Sequence, residues 1–207
     1  PSLPALNRQA IVIGIDDYPH LPGLRAAVSG AREMAEFLER EGFSVHLFTD
    51  EGGEVRAFEI GDRIEALIDQ GTMDQLVIYF SGHGTLSGTS EYWLMSRAPR
   101  RGDEAISVDL NAELARRSGI PNVVFISDAC RSAPESLQMS SAMGQQVFPS
   151  PLGSLRRTGD VDLFYAALPG QAALELPLSE SVVGHEGIFT KVFLSAFEEP
   201  DADMILK

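Results

Sequence analysis

The sequence predicts an α/β fold: a sandwich with a mainly parallel sheet between helices. Short β-branched apolar runs alternate with segments whose apolar residues recur at helical spacing, the order of strand–helix–strand crossovers. The runs at 10–15, 75–80 and 122–127 end abruptly in polar or glycine residues, as buried parallel strands do at the rim of a sheet.

Residues 10–15 (AIVIGI) are the first strand and close on Asp16-Asp17. Over 24–41, Leu24, Val28, Ala31, Ala35 and Leu38 mark one helical face, and Gly42 ends the segment. Residues 43–48 (FSVHLF) form a second strand. The segment 54–69 predicts a helix carrying Phe58, Ile64, Leu67 and Ile68, weakened in its first half by Gly61. A third strand at 75–80 (QLVIYF) ends in Ser81-Gly82-His83-Gly84, and 85–108 reads as mixed and loop-like. A short helix over 109–118 leads through Pro121 into a fourth strand, 122–127 (NVVFIS), which ends in Asp128-Ala129-Cys130. Residues 131–158 are rich in Ser, Pro, Gly and Gln without periodicity, and so long a loop in a compact domain is as a rule functional or disordered. Strand five is 162–167 (DLFYAA), and a last helix at 187–198 sets Ile188, Val192, Phe193 and Ala196 on one side.

The length of 207 residues, 44% of them hydrophobic, suits one domain over residues 1–207 with a two-sided core. The chain begins at Pro1 rather than Met, which leads to the expectation of a processed product or a piece of a longer protein, with room for a regulatory domain or partner protein. A net charge of −14 and a pI near 4.6 argue against nucleic acid as a partner, since phosphate neutralisation needs a basic face. No apolar run approaches bilayer length and no signal peptide is visible, so no membrane partner and a cytoplasmic location are expected. The single Cys excludes an internal disulfide and any multi-cysteine zinc site.

In parallel sheets, chemistry collects beyond the C-terminal strand ends, where Asp17, His83 and Cys130 all fall. A thiol attacks a carbonyl as thiolate, and an imidazole beside it takes the proton and later gives it to the leaving amine. Taken singly, a Cys near a strand end serves as a small buried hydrophobe, and a His in a Gly-rich turn as an exposed loop residue. Two at neighbouring strand ends form a candidate catalytic pair. The amides of Gly84 and Cys130 are candidates to bind a developing oxyanion.

The segments AIVIGIDDY, LRAAVSGAREMAEFL, FSVHLFTD, VIYFSGHG, VVFISDACRS, ALPGQAALE and GIFTKVFLSAF, in that order, resemble the caspase and metacaspase cysteine peptidases from about residue 10 to 197. Cys130 follows His83 by 47 positions, near the roughly 50 typical of caspases. The resemblance implies a caspase-like three-layer sandwich on a six-stranded sheet, with His83 and Cys130 as the dyad and a protein or peptide as substrate. Asp128 matches the metacaspase residue that helps hold an Arg or Lys side chain of the substrate, and Ser81 matches a small pocket residue. A second acidic pocket residue of metacaspases aligns with Gly30. Caspases that cut after Asp use an Arg near this region, and Arg25 lies close without aligning. A buried Asp128 would be costly without a cation, which favours a basic substrate side chain paired bidentately; the alternative role is a carboxylate capping local backbone amides. Two further readings stay open: a catalytically silent scaffold of the same fold, and a peptidase of acidic specificity.

Asp16-Asp17 also resembles the start of a phosphoacceptor receiver domain, but Ser81-Gly82 and Pro169-Gly170 stand where that fold needs its Asp and Lys. SGHGTLSG lacks the Lys-Ser/Thr of a phosphate loop. Glu91, Asp103, Glu104 and Asp109 read as a solvated acidic face; metacaspases often need calcium, so calcium is a candidate cofactor there by resemblance, without ligand spacing to identify a site. Within 131–158 the basic residues are Arg131, Arg156 and Arg157, with no Lys, so an enzyme cutting after basic residues has Arg156-Arg157 as the expected self-cleavage site.

Overall fold

Alternate residues of β1 (Arg8–Gly14) face opposite sides of one sheet, and both sides are apolar. Ile11 and Ile13 enter a core with Ile78, Phe80, Val123 and Phe125 and with Ile60, Ile64 and Leu67 of α2 (Ala57–Asp69). Ala10 and Val12 enter a second core with Val77, Tyr79 and Ile126, covered by Ala31, Met34, Ala35 and Leu38 of α1 (Ala27–Arg40) and by Phe189 and Phe193 of α5 (Ile188–Glu198). The result is three layers, seen in a computed structural model that describes residues 6–198 other than 135, 141, 151–158, 172, 174 and 180–181.

The central sheet adds β2 (Ser44–Thr49), β3 (Gln75–Gly82), β7 (Asn122–Ala129) and β8 (Asp160–Tyr165) in the order β2-β1-β3-β7-β8, with every pair parallel. It has five strands among the described residues, not the six that the resemblance implies. After β8 the chain turns back over the strand ends, where Gly170 N–H donates to the carbonyl of Arg131 and Arg131 N–H to that of Gln171, both at 2.8 Å. It then forms β9 (Glu175–Ser179) and β10 (Val182–Gly187), an antiparallel pair of their own. Helix α1 sits tightly on β1: a Cβ on Gly14 would stand 2.6 Å from Ala31 Cβ. It starts later than periodicity suggests, because Asp16 Oδ1 accepts from Ala27 N–H while the Asp16 carbonyl accepts from Leu24 N–H and keeps Leu24 in the preceding loop.

Two segments read as loop are built. Residues 84–107 contain an antiparallel sheet of β4 (Gly84–Ser87), β5 (Ser90–Leu94) and β6 (Ala105–Ser107). These strands are short and rich in Ser and Thr, so no periodicity marks them, yet Trp93 is buried and stacks on Phe80 at 5.0 Å. The 131–158 stretch also departs from a free loop. It includes α4 (Leu137–Ser140), and Met139, Val147 and Phe148 are buried. Asn111, on α3 (Val108–Ala115), is fully buried and fastens that stretch: its Oδ1 accepts from Val147 N–H (2.7 Å) and Phe148 N–H (3.1 Å), and its Nδ2 donates to the carbonyls of Ser107 and Gln145. A side-chain amide can satisfy main-chain groups that no strand partner reaches.

Candidate active site

Register creates the site. Ser81 of β3 pairs with Asp128 of β7, and Gly82 with Ala129, so His83 and Cys130 leave the sheet side by side, one residue beyond each strand. A cavity of about 40 Å³ at this rim is lined by Ser81, Gly82, His83, Asp128 and Cys130, with Leu24, Ala26, Ala173 and Gly187 closing it. The structure thus brings together His83, Cys130, Asp128 and Ser81. Asp17 lines a different cavity, with Tyr18, Asp50 and Glu54.

The imidazole of His83 is fixed by a partner that sequence could not reveal. Its Nε2 lies 2.7 Å from the carbonyl of Pro22. A carbonyl only accepts, so Nε2 carries the proton and Nδ1 of the neutral ring holds the free lone pair. Cys130 is half-buried, with Sγ 3.9 Å from the carbonyl of Ala173. Gly84 lies against it: a Cβ there would be 2.7 Å from the Cys130 carbonyl and 2.9 Å from Ala129 Cβ.

Asp128 is 7% exposed, and its Oδ2 accepts from Thr190 Oγ1 at 2.6 Å and, more weakly, from Tyr79 Oη at 3.5 Å. Thr190 and Tyr79 are joined to each other at 2.6 Å. Burial, then the charge of Asp128, pushes the Tyr79 hydroxyl well above its usual range, so it stays a donor. Gly30 faces this group: a Cβ there would meet Tyr79 Oη at 3.3 Å and Thr190 Oγ1 at 3.6 Å. Two hydroxyls therefore stand beside the position that aligns with the second acidic residue of metacaspases.

The acidic face expected from Glu91, Asp103, Glu104 and Asp109 is solvated only at Asp103 and Asp109. Glu91 is 0% exposed and Glu104 3%. Glu104 accepts from Arg56 Nε at 2.6 Å and from Ala57 N–H at the start of α2. Glu91 Oε1 accepts from Trp93 Nε1 at 3.0 Å and from Ser127 Oγ. Its Oε2 is 2.8 Å from Arg131 Nε, an ion pair off the line of a hydrogen bond. Arg131 also lies flat over Tyr165, 3.9 Å from the ring centre. Charge alone hid this: a carboxylate is expected in water unless its partner is known, and Arg131 is 40 positions away in sequence. With both buried carboxylates held by arginines, no group of three His, Cys, Asp or Glu among the described residues is placed to hold calcium or another metal. Arg131, the first basic residue of the 131–158 stretch, is thus held by Glu91 and Tyr165. Arg156 and Arg157 lie outside the described residues.

A wider cavity, about 660 Å³, lies between α2 and residues 145–150, and neither His nor Cys lines it. Its walls carry Asp62, Glu65, Asp103, Glu104 and exposed Phe58, none of which is a nucleophile activated for peptide hydrolysis. Among the described residues no helix is long and apolar enough to cross a membrane.

A family model described as the caspase domain matches residues 7–207. The chain belongs to the caspase domain family. That family is one of cysteine peptidases, whose substrates are proteins or peptides. Solved structures agree on the caspase fold. Protein GSU0716 from Geobacter sulfurreducens is 16% identical, with a TM-score of 0.62 over 93% of this chain and 82% of that one. Caspase-1 from Spodoptera frugiperda is 14% identical, with a TM-score of 0.64 over 93% of this chain and 71% of that one. No curated protein matches the chain by sequence.

Proposed function

We propose that the chain is a cysteine endopeptidase in which Cys130 attacks and His83 moves the proton, cutting after a basic residue held by Asp128. The observation that carries this reading is the single cleft shared by His83, Cys130, Asp128 and Ser81, with His83 Nε2 committed to Pro22 and Nδ1 left as the base. Nδ1 takes the thiol proton, the thiolate forms a bond to the scissile carbonyl carbon, and the oxyanion is held by the amides of Gly84 and Cys130. The C–N bond then breaks, the amine takes the proton from His83, and water hydrolyses the thioester.

The basic specificity rests on Asp128, whose carboxylate lines the cleft. A cavity of about 40 Å³ holds on the order of three waters, too little for an arginine side chain, so substrate entry moves Ala173 and Gly187 aside. Asp128→Asn tests the assignment: hydrolysis of peptides with Arg before the scissile bond falls on the order of 100-fold or more in kcat/KM, as expected for a desolvated charge pair, while a neutral residue there costs much less. Equal losses on both substrates would assign Asp128 the structural role of a carboxylate holding neighbouring groups. Running the same assay with and without calcium tests the cofactor.

A basic-specific enzyme also cuts itself after Arg156 or Arg157. Intact-mass measurement of active protein shows two fragments split there, and Cys130→Ala stays whole. An active preparation with one uncut chain would remove this segment as an activation site. A silent scaffold is distinguished by an electrophilic Arg peptide, which labels Cys130 of an enzyme and leaves a scaffold unmodified.

A further inference from the structure

The connection between β1 and α1 is pinned at both ends. Asp50 Oδ2 accepts from the amides of Asp16 (2.9 Å) and Asp17 (2.6 Å), Leu24 N–H donates to the Asp16 carbonyl at 2.9 Å, and Asp16 Oδ1 caps α1 at Ala27. Pro22, whose carbonyl receives the His83 Nε2 proton, lies inside this pinned segment. So does Tyr18, 6% exposed, and it touches His83 in two further ways. Its hydroxyl accepts from His83 N–H at 3.0 Å and donates to the Leu94 carbonyl at 2.9 Å. Its ring meets the imidazole edge-on, with centres 4.7 Å apart and planes at 66°.

The main chain of His83 is thereby closed on both sides, because Leu94 N–H donates to the His83 carbonyl at 2.9 Å. Gly82 is part of the same fit: a Cβ there would come within 2.6 Å of Tyr18 Oη. Burial pushes the Tyr18 hydroxyl far above its usual range against the opposing bond from His83, and the charges of Asp50 and Asp16 push the same way. The group stays a neutral phenol that can donate and accept at once.

We infer that Tyr18 is a positioning residue for His83, its hydroxyl fixing the main chain and its ring fixing the plane of the imidazole whose tautomer Pro22 sets. The inference rests on the Cys130–His83 reading. A tyrosine that merely filled space would affect stability alone. A positioning tyrosine also changes how readily Cys130 ionises, because His83 stabilises the thiolate only from one orientation.

The single cysteine makes the readout clean: the rate of alkylation by iodoacetamide is followed by intact mass across pH. In the wild-type protein the midpoint lies well below the ordinary thiol value of about 8.5, and His83→Ala returns it to that range. Tyr18→Phe keeps the ring and removes the hydroxyl. Its midpoint moves upward towards that of His83→Ala, and alkylation near pH 6.5 slows about tenfold, the loss expected of one hydrogen bond to a positioned group. Gly82→Ala, whose Cβ crowds the Tyr18 hydroxyl and also the Phe80 ring without altering Tyr18, gives the same direction and serves if Tyr18→Phe does not fold. A wild-type profile in folded Tyr18→Phe or Gly82→Ala, with His83→Ala shifted, overturns the role of Tyr18 and leaves the dyad standing. A His83→Ala profile identical to wild type overturns the dyad and the inference together.

Discussion

Cys130→Ala is expected to abolish peptide hydrolysis while the protein keeps its fold. Cys130 is half-buried, one residue beyond the end of β7 at the rim of the sheet, so losing its sulfur empties little of the core. The chemical loss is the whole nucleophile. For catalytic groups that act as a unit, removing one costs on the order of 10⁶ in kcat, and removing a second adds little. His83→Ala and the double variant should therefore fall to nearly the same floor. Measuring kcat/KM with a fluorogenic Arg peptide alongside the thermal transition checks both halves. Hydrolysis persisting in purified Cys130→Ala would place the chemistry elsewhere.

The largest expected effect on stability is at Glu91. This carboxylate is fully buried next to Arg131, itself 13% exposed, and also serves Trp93 and Ser127. Glu91→Ala leaves a buried guanidinium without its counter-charge and the Ser127 hydroxyl without its acceptor, with the indole N–H of Trp93 kept only by Ser127 Oγ, and breaking a buried pair from one side costs about 3–5 kcal/mol. Glu91→Gln retains an acceptor for Trp93 and separates shape from charge. Burial pushes the Glu91 carboxyl up, outweighing the bonds from Ser127 and Trp93 and the charge of Arg131 that pull it down. The folded state then holds the proton more tightly than the unfolded chain does. Stability contributed by this group is present below the ordinary carboxylate range and declines as pH rises through the raised value. Urea unfolding across pH should show that decline in the wild type and its absence in Glu91→Gln. An Ala variant as stable as the wild type would mean that the pair is idle.

The same residues show what a sequence can and cannot carry. Strand ends were legible because burial on both faces makes a run such as VIYF or VVFI continuous, and its stop at Ser81 or Asp128 is abrupt. His83 and Cys130 follow from those stops. The short strands β4 to β6 were not legible, since three to five residues of mixed polarity have no period to read. The burial of Glu91 was hidden for another reason: it depends on a partner in a distant segment, and composition counts every carboxylate alike. Pro22 acts through a main-chain carbonyl, which any residue could offer, so no side-chain signal could have pointed to it. The packed start of 131–158 was missed because Asn111, the residue that fastens it, belongs to a different element.

The pairing of β7 with β8 has a consequence for covalent continuity. Six residue pairs, from Asn122 with Asp160 to Ser127 with Tyr165, join the strand before the nucleophile to the first strand after residue 158. A break in the chain between Ser150 and Gly159 would cut one peptide bond and none of these pairings. The two pieces would run apart on a denaturing gel and elute as one particle under native conditions, with the cleft still assembled from both.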